Sequence, residues 1–185
     1  MKSIYILLLI VVALVACTST PKISNTTLAG SFIDTFYSFN SNSLKSVLAY
    51  APGSHPEILY YQRWAECAHY SVVTRGTFIE KNDSTVVCPM TVKDDLMKAL
   101  QIDFNVTDSF HVVIKDGRIR SVRTSSNDLE EYYKAKAWVN QFRPEYVAKN
   151  CEGIWEGGPT PCECVQGMVK GFGEYIEEKE EKVSM

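Results

Sequence analysis

A two-residue turn, Asp116-Gly117, stands between two segments of alternating character, Thr107 to Lys115 and Arg118 to Ser125. Both turn residues tolerate positive φ, which the tight loop of an antiparallel hairpin demands. A chain carrying this hairpin must build part of its core on an antiparallel sheet. With the two residues as the whole loop, Lys115 faces Arg118, Ile114 faces Ile119, Val112 faces Ser121 and Phe110 faces Arg123. Side chains alternate along a strand, so one face carries Phe110, Val112, Ile114, Ile119, Ser121 and Arg123. The other carries His111, Val113, Lys115, Arg118, Arg120 and Val122. The first face is the more apolar and is expected to turn inward.

Upstream, the hydrophobic period is helical. Leu28, Phe32, Phe36 and Phe39 form an apolar stripe with Asp34 and Ser38 opposite. The cluster Asn40-Ser41-Asn42-Ser43 suits a turn and a cap before a short helix carrying Leu44, Val47 and Leu48. After the break Ala51 to Pro56, a third helix is predicted to His69, with Ile58, Tyr61, Ala65 and Ala68 on one face and Tyr60, Trp64 and Cys67 flanking it. From Ser71 the period becomes that of a strand. Ser71 to Glu80 and Ser84 to Cys88 are predicted to pair around the turn Lys81-Asn82-Asp83, with Pro89 ending or bulging the second strand. Lys93 to Leu100 suits a short helix.

Three helices followed by a strand meander resemble the nuclear-transport-factor-2-like superfamily. The resemblance covers roughly residues 28 to 126. It rests on the aromatic first helix, the polar turn before Leu44, the Tyr60-to-Trp64 helix running into Val72 and Val73, and the Asp116-Gly117 hairpin. It implies an α+β fold in which a curved antiparallel sheet wraps around the N-terminal helix as a cone. The family commonly has a strand or hairpin between its second and third helices, and only Tyr50 to Leu59 is available for one here.

The N-terminus sets the compartment. Ile4 to Ala16 is an apolar run of 13 residues, whereas a membrane-spanning helix needs about 20 and a secretory signal core roughly 7 to 15. It ends in Leu14-Val15-Ala16-Cys17, which resembles the bacterial lipobox. That resemblance implies lipid transfer to the Cys17 thiol and cleavage after Ala16, with Thr18 next in line matching the pattern sent to the outer membrane in a host with two membranes. Residues 1–16 then read as signal peptide, 17–26 as a lipid-anchored tether, 27–126 as the domain and 127–185 as a helical extension. In that extension Asn127 and Glu130 fit a helix-start box, Leu129 to Phe142 carries an apolar side, and Val165 to Ile176 repeats at helical spacing despite three glycines. Glu177 to Lys182 reads as a solvated, frayed end. A eukaryotic secreted glycoprotein is the rival origin, since Asn25, Asn82 and Asn105 each begin an acceptor triplet.

Export favours disulfides among Cys67, Cys88, Cys151, Cys162 and Cys164, with one thiol left over. Cys67 with Cys88, and Cys151 with Cys162 or Cys164, are the expected pairs. A lone Cys162-Glu163-Cys164 without a nearby histidine is a poor zinc site, and no metal or other cofactor is expected. A formal charge of −3, from 19 basic and 22 acidic residues, gives no basic field for nucleic acid. No acid is evidently pocket-facing, His69 and His111 are the only other candidate bases, and no catalytic residue is assigned.

The leading expectation is a lipid-anchored binding or interaction protein of the cell envelope, with a cone pocket for a small apolar or amphiphilic ligand or a partner segment. Tyr60, Tyr61, Trp64 and Phe110 would pack the ligand's body, with Ser121 beside them and Arg123 reading an anionic headgroup. The alternatives are an isomerase- or hydrolase-like enzyme of the same superfamily, and an accessory subunit of an envelope complex. A buried acid with a perturbed pKa would favour the enzyme, and an apolar pocket without one the binding module.

Overall fold

A computed structural model describes residues 23–151 and 161–184. The expected lipidation site Cys17, the expected signal segment and the expected Trp155 loop lie outside the described residues. The chain is α+β, with one five-stranded antiparallel sheet. Helix α1 spans Asn25–Phe36, α2 Ser41–Val47 and α3 His55–Cys67, with a single 3₁₀ turn at Pro52–Ser54 between the last two. The Ser24 side chain accepts from the Thr27 amide at 3.0 Å and caps α1. The folded part therefore reaches back into the stretch expected to be tether. Asn40 caps α2 through the Ser43 amide at 2.9 Å, as its sequence suggested. Gln62 of α3, a polar residue, is buried and donates to the carbonyls of Thr35 and Phe36. Those are terminal carbonyls that α1 cannot satisfy by itself.

The sheet holds β1 (Ser71–Arg75), β2 (Ile79–Asn82), β3 (Thr85–Lys93), β4 (Val106–Lys115) and β5 (Arg118–Ser126). The single strand expected over 71 to 80 is two strands, and both pair with β3, which continues unbroken through Pro89. Gly76 lies in the break and donates its amide to the Pro89 carbonyl at 2.9 Å. The proline's missing N–H faces the same break, so the ladder to β4 on the other side stays whole. A Cβ on Gly76 would sit 2.7 Å from the Pro89 ring, which explains the glycine.

The hairpin turn forms as read, with Asp116 and Gly117 at φ 54° and 67°. The register does not. Lys115 faces Arg118 and Ile114 faces Ile119, but the next pairs are Val113 with Ser121, Val112 with Val122, His111 with Arg123 and Phe110 with Thr124. Arg120 is the extra residue of a β-bulge, and beyond it the two faces of β5 exchange. Val122 is thereby 1% exposed and Arg123 lies outside. The physical reason is the choice of what to bury: a valine gains roughly 1.5–3 kcal/mol on burial, whereas an unpaired guanidinium costs more than that.

Helix α1 lies on the inner face, where Phe32, Ile33 and Phe36 meet Val86, Cys88, Met90, Phe110, Val112, Ile114, Ile119 and Val122. A second cluster joins α4 (Asp95–Ala99) and the end of α3 to α5 (Glu130–Phe142), α6 (Pro144–Val147) and α7 (Pro161–Ser184). The expected helix-start box is absent. Asn127 Oδ1 accepts instead from the Thr107 amide of β4 at 2.6 Å, and α5 starts after Leu129 without a side-chain cap. The stretch from Glu177 to Lys182 is helical rather than frayed, with Lys182 on Glu178 and Lys179 on Glu131 of α5.

Cys67 bonds to Cys162 and Cys151 to Cys164, while Cys88 is buried and free. One expected staple forms, but Cys67 does not pair with Cys88. The latter sits on a central strand under α1, and Cys67, at the end of α3, meets the start of α7. The three glycines of α7 divide by role. Side chains at Gly167 and Gly171 would run into the Tyr146 backbone and Val139, so these two let α6 and α5 approach closely, whereas Gly173 faces open space.

Candidate functional site

A cavity of about 360 Å³ opens between α3, the start of α4, the start of β4, the end of β5 and α5. Helix α3 contributes Tyr60, Tyr61 and Trp64 at positions 60, 61 and 64, a spacing that places all three along one side of the helix. Tyr70, after the helix, and Tyr132 on α5 complete the aromatic walls. Tyr60 and Trp64 have ring centroids 5.8 Å apart and tilted by 50°, and Tyr61 and Tyr70 stand 6.3 Å apart at 88°.

Asp108 of β4 reaches this cavity and is 3% exposed. Among the described residues, its Oδ2 and the Tyr37 hydroxyl are buried polar atoms without a hydrogen-bond partner. Burial pushes the Asp108 carboxyl up to about 6, against hydrogen bonding from Tyr61 and Ser126 that favours ionisation. The charges of Asp128 and Asp94 raise it further. Asp94 is also raised by burial, partly opposed by the backbone amides of Met97 and Leu96, and its Oδ1 caps α4 through the Met97 amide at 2.9 Å. Tyr61 and Tyr70 are held well above the usual phenol range, chiefly by burial, and stay protonated as neutral hydrogen-bonding groups. Lys136, exposed on α5, is the lone cation among the cavity's residues.

Three of the aromatic positions expected to hold a ligand, Tyr60, Tyr61 and Trp64, therefore come together at the cavity. Phe110 does not line it. It is fully buried behind Tyr61, 5.9 Å between ring centroids, and against Phe32 and Phe36. Ser121 and Arg123 are on the wrong side of the bulge, Arg123 exposed opposite His111. Arg123 therefore does not enter the cavity as the expected anion receptor. Neither histidine belongs to the site: His69 pairs with Asp95 at 2.6 Å on the surface, and His111 bonds Ser125 on the outer face. No group of three or more histidine, cysteine or acidic residues among those described is arranged to hold a metal ion.

The residue that sequence reasoning missed is Asp108, and the signal was present. The alternation that turns Phe110, Val112 and Ile114 inward, continued two residues back, turns Asp108 inward too. Asp128, Tyr132 and Lys136 carry no such signal, because they follow the last strand and nothing local in the sequence says which face α5 covers. A carboxyl that changes charge near pH 6 among protonated phenols can exchange a proton with a bound molecule or neutralise a positive one. Compared with known proteins, the chain matches no family model, no curated protein and no solved structure.

Proposed function

We propose that this is an exported protein of the cell envelope, anchored through lipid on Cys17, that binds a small amphiphilic molecule in the aromatic cavity of a cone like that of the nuclear-transport-factor-2-like superfamily. The observation that carries the reading is the 360 Å³ cavity itself, with five aromatic residues in its walls and, among the residues that line it, a buried carboxyl with one unpartnered oxygen. A cavity of this size, with aromatic walls and convergent polar groups, is large enough for a small molecule. Two disulfides fit an oxidising compartment. No helix among the described residues is long and apolar enough to cross a membrane, and the lipobox resemblance assigns the membrane attachment to the N-terminus.

The test has two arms. Mature protein should begin at Cys17 and enter the detergent phase, and Cys17→Ala should not mature at that site. A start beyond residue 17 in an aqueous protein overturns the anchor. Native mass spectrometry of the detergent-extracted protein should find a bound small molecule that Trp64→Ala loses. A bound molecule retained by that variant overturns the site.

The raised pKa of buried Asp108 favours a second reading, an enzyme that moves a proton on its ligand. Under it, Asp108→Asn keeps the co-purifying molecule bound and stops its conversion.

A further inference from the structure

Resting on the binding reading above, we propose that the cavity selects an organic cation, a primary ammonium on a small apolar body, with Asp108 as its counter-ion and the aromatic residues as its walls. Three carboxyl side chains, Asp94, Asp108 and Asp128, line the cavity against the single exposed Lys136. Two of them are already engaged. Asp94 caps α4, and Asp128 accepts from the Tyr133 hydroxyl at 3.3 Å. Asp108 differs in being almost wholly buried: Tyr61 and Ser126 favour its ionised form by hydrogen bonding, yet its Oδ2 has no partner. A buried carboxyl that lines the cavity and has one oxygen unsatisfied is better served by an N–H of positive charge than by any neutral group.

The walls suit the same occupant. Rings tilted at 50° and 88° to one another present aromatic surface in several planes, and aromatic rings attract a cation through their quadrupoles. Tyr61 and Tyr70 stay protonated, which leaves the carboxyls as the anionic groups of the cavity. A volume of about 360 Å³ holds about a dozen groups of water size, at roughly 30 Å³ each, which limits the ligand to a small amine. An anionic ligand would face three carboxylates at once.

The experiment compares two probes of matched size by calorimetry at pH 7.5: 2-phenylethylammonium, which carries the charge, and 2-phenylethanol, which keeps the ring and the hydrogen bond without it. The ammonium should bind at least tenfold more tightly. Asp108→Asn should remove that advantage and leave the alcohol within twofold, while Trp64→Ala should weaken both. If the alcohol binds as well as the ammonium and Trp64→Ala weakens it, the binding site stands and the cation preference is overturned. If neither probe binds, the binding reading fails and the inference with it. Should Asp108→Asn not fold, Asp128→Asn at the half-buried rim carries the same comparison: about a threefold loss for the ammonium alone is expected, and no loss overturns the proposal.

Discussion

The sheet half and the C-terminal helical half of this molecule are closed by different means. Under α1, the sheet is closed without a disulfide: Phe32, Phe36 and Phe110 meet at centroid distances of 4.8 to 6.3 Å, Arg75 of β1 pairs with Asp34 of α1 at 2.6 Å, and the cysteine there, Cys88, is free. The helical half has two disulfides, close contacts at Gly167 and Gly171, and ion pairs such as Arg143 with Glu174 at 2.5 Å. A β-sheet covered by a helix buries a wide continuous face. Short helices such as α4 and α6 bury little each, and covalent links compensate for that small area. The cavity lies where the two halves meet, with Asp108 supplied by one and Tyr132 by the other.

The sharpest way to break this contrast is Phe110→Ala. Loss of a fully buried phenylalanine should cost about 3–5 kcal/mol in urea unfolding, whether or not reductant is present. An effect under 1 kcal/mol would show that the sheet half does not depend on aromatic packing. Next, replacing Cys67 and Cys162 by serine opens a link across a sequence separation of 95 residues and should cost about 2–5 kcal/mol. Amide exchange should then quicken in α7 well before β3 and β4, and equal acceleration in both would erase the distinction.

A third effect comes from the shared boundary. The folded state raises Asp108 from the ordinary aspartate value to about 6, so it holds the proton more firmly than the unfolded chain does. The stability this confers is complete below about pH 4 and is lost as pH rises to about 6. Asp108→Asn should therefore be more stable than wild type by about 2–3 kcal/mol at pH 8, with the difference vanishing near pH 4. A variant less stable at pH 8 would mean that the carboxylate is compensated by a partner. The smallest effects separate two glycines of one helix. Gly167→Ala should cost about 1–3 kcal/mol by forcing α7 from α6, while Gly173→Ala, with open space around it, should gain about 0.5–1 kcal/mol. Equal changes in thermal midpoint would argue against close approach as the reason for Gly167.

What could be read from the sequence was whatever a few neighbouring residues decide. Asp116-Gly117 determines its own turn because the requirement is on two φ angles, and the cap at Asn40 depends on an amide three residues away. The bulge at Arg120 escaped because it answers a question posed across strands, whether Val122 or Arg123 shall be inside. The cysteine pairing escaped for the same reason, since Cys67 and Cys162 are brought together only once α7 docks. Half of the site was legible, as the Tyr60, Tyr61 and Trp64 spacing. Asp108 was legible in principle from its strand's alternation, and the α5 wall was not, because nothing local says which cavity a distant helix will close.

Cys88 has a consequence for how the chain matures. Before the sheet forms, its thiol competes with the four that pair in the fold for the same oxidant, and a bond to Cys67 would hold α3 against a central strand. Afterwards burial pushes that thiol up to about 12, chiefly by desolvation, leaving almost no thiolate to attack a disulfide. Correct oxidation thus becomes a race between closure of β3 under α1 and the first thiol to oxidise. Slow oxidation, or an isomerase to reverse early errors, favours the native yield.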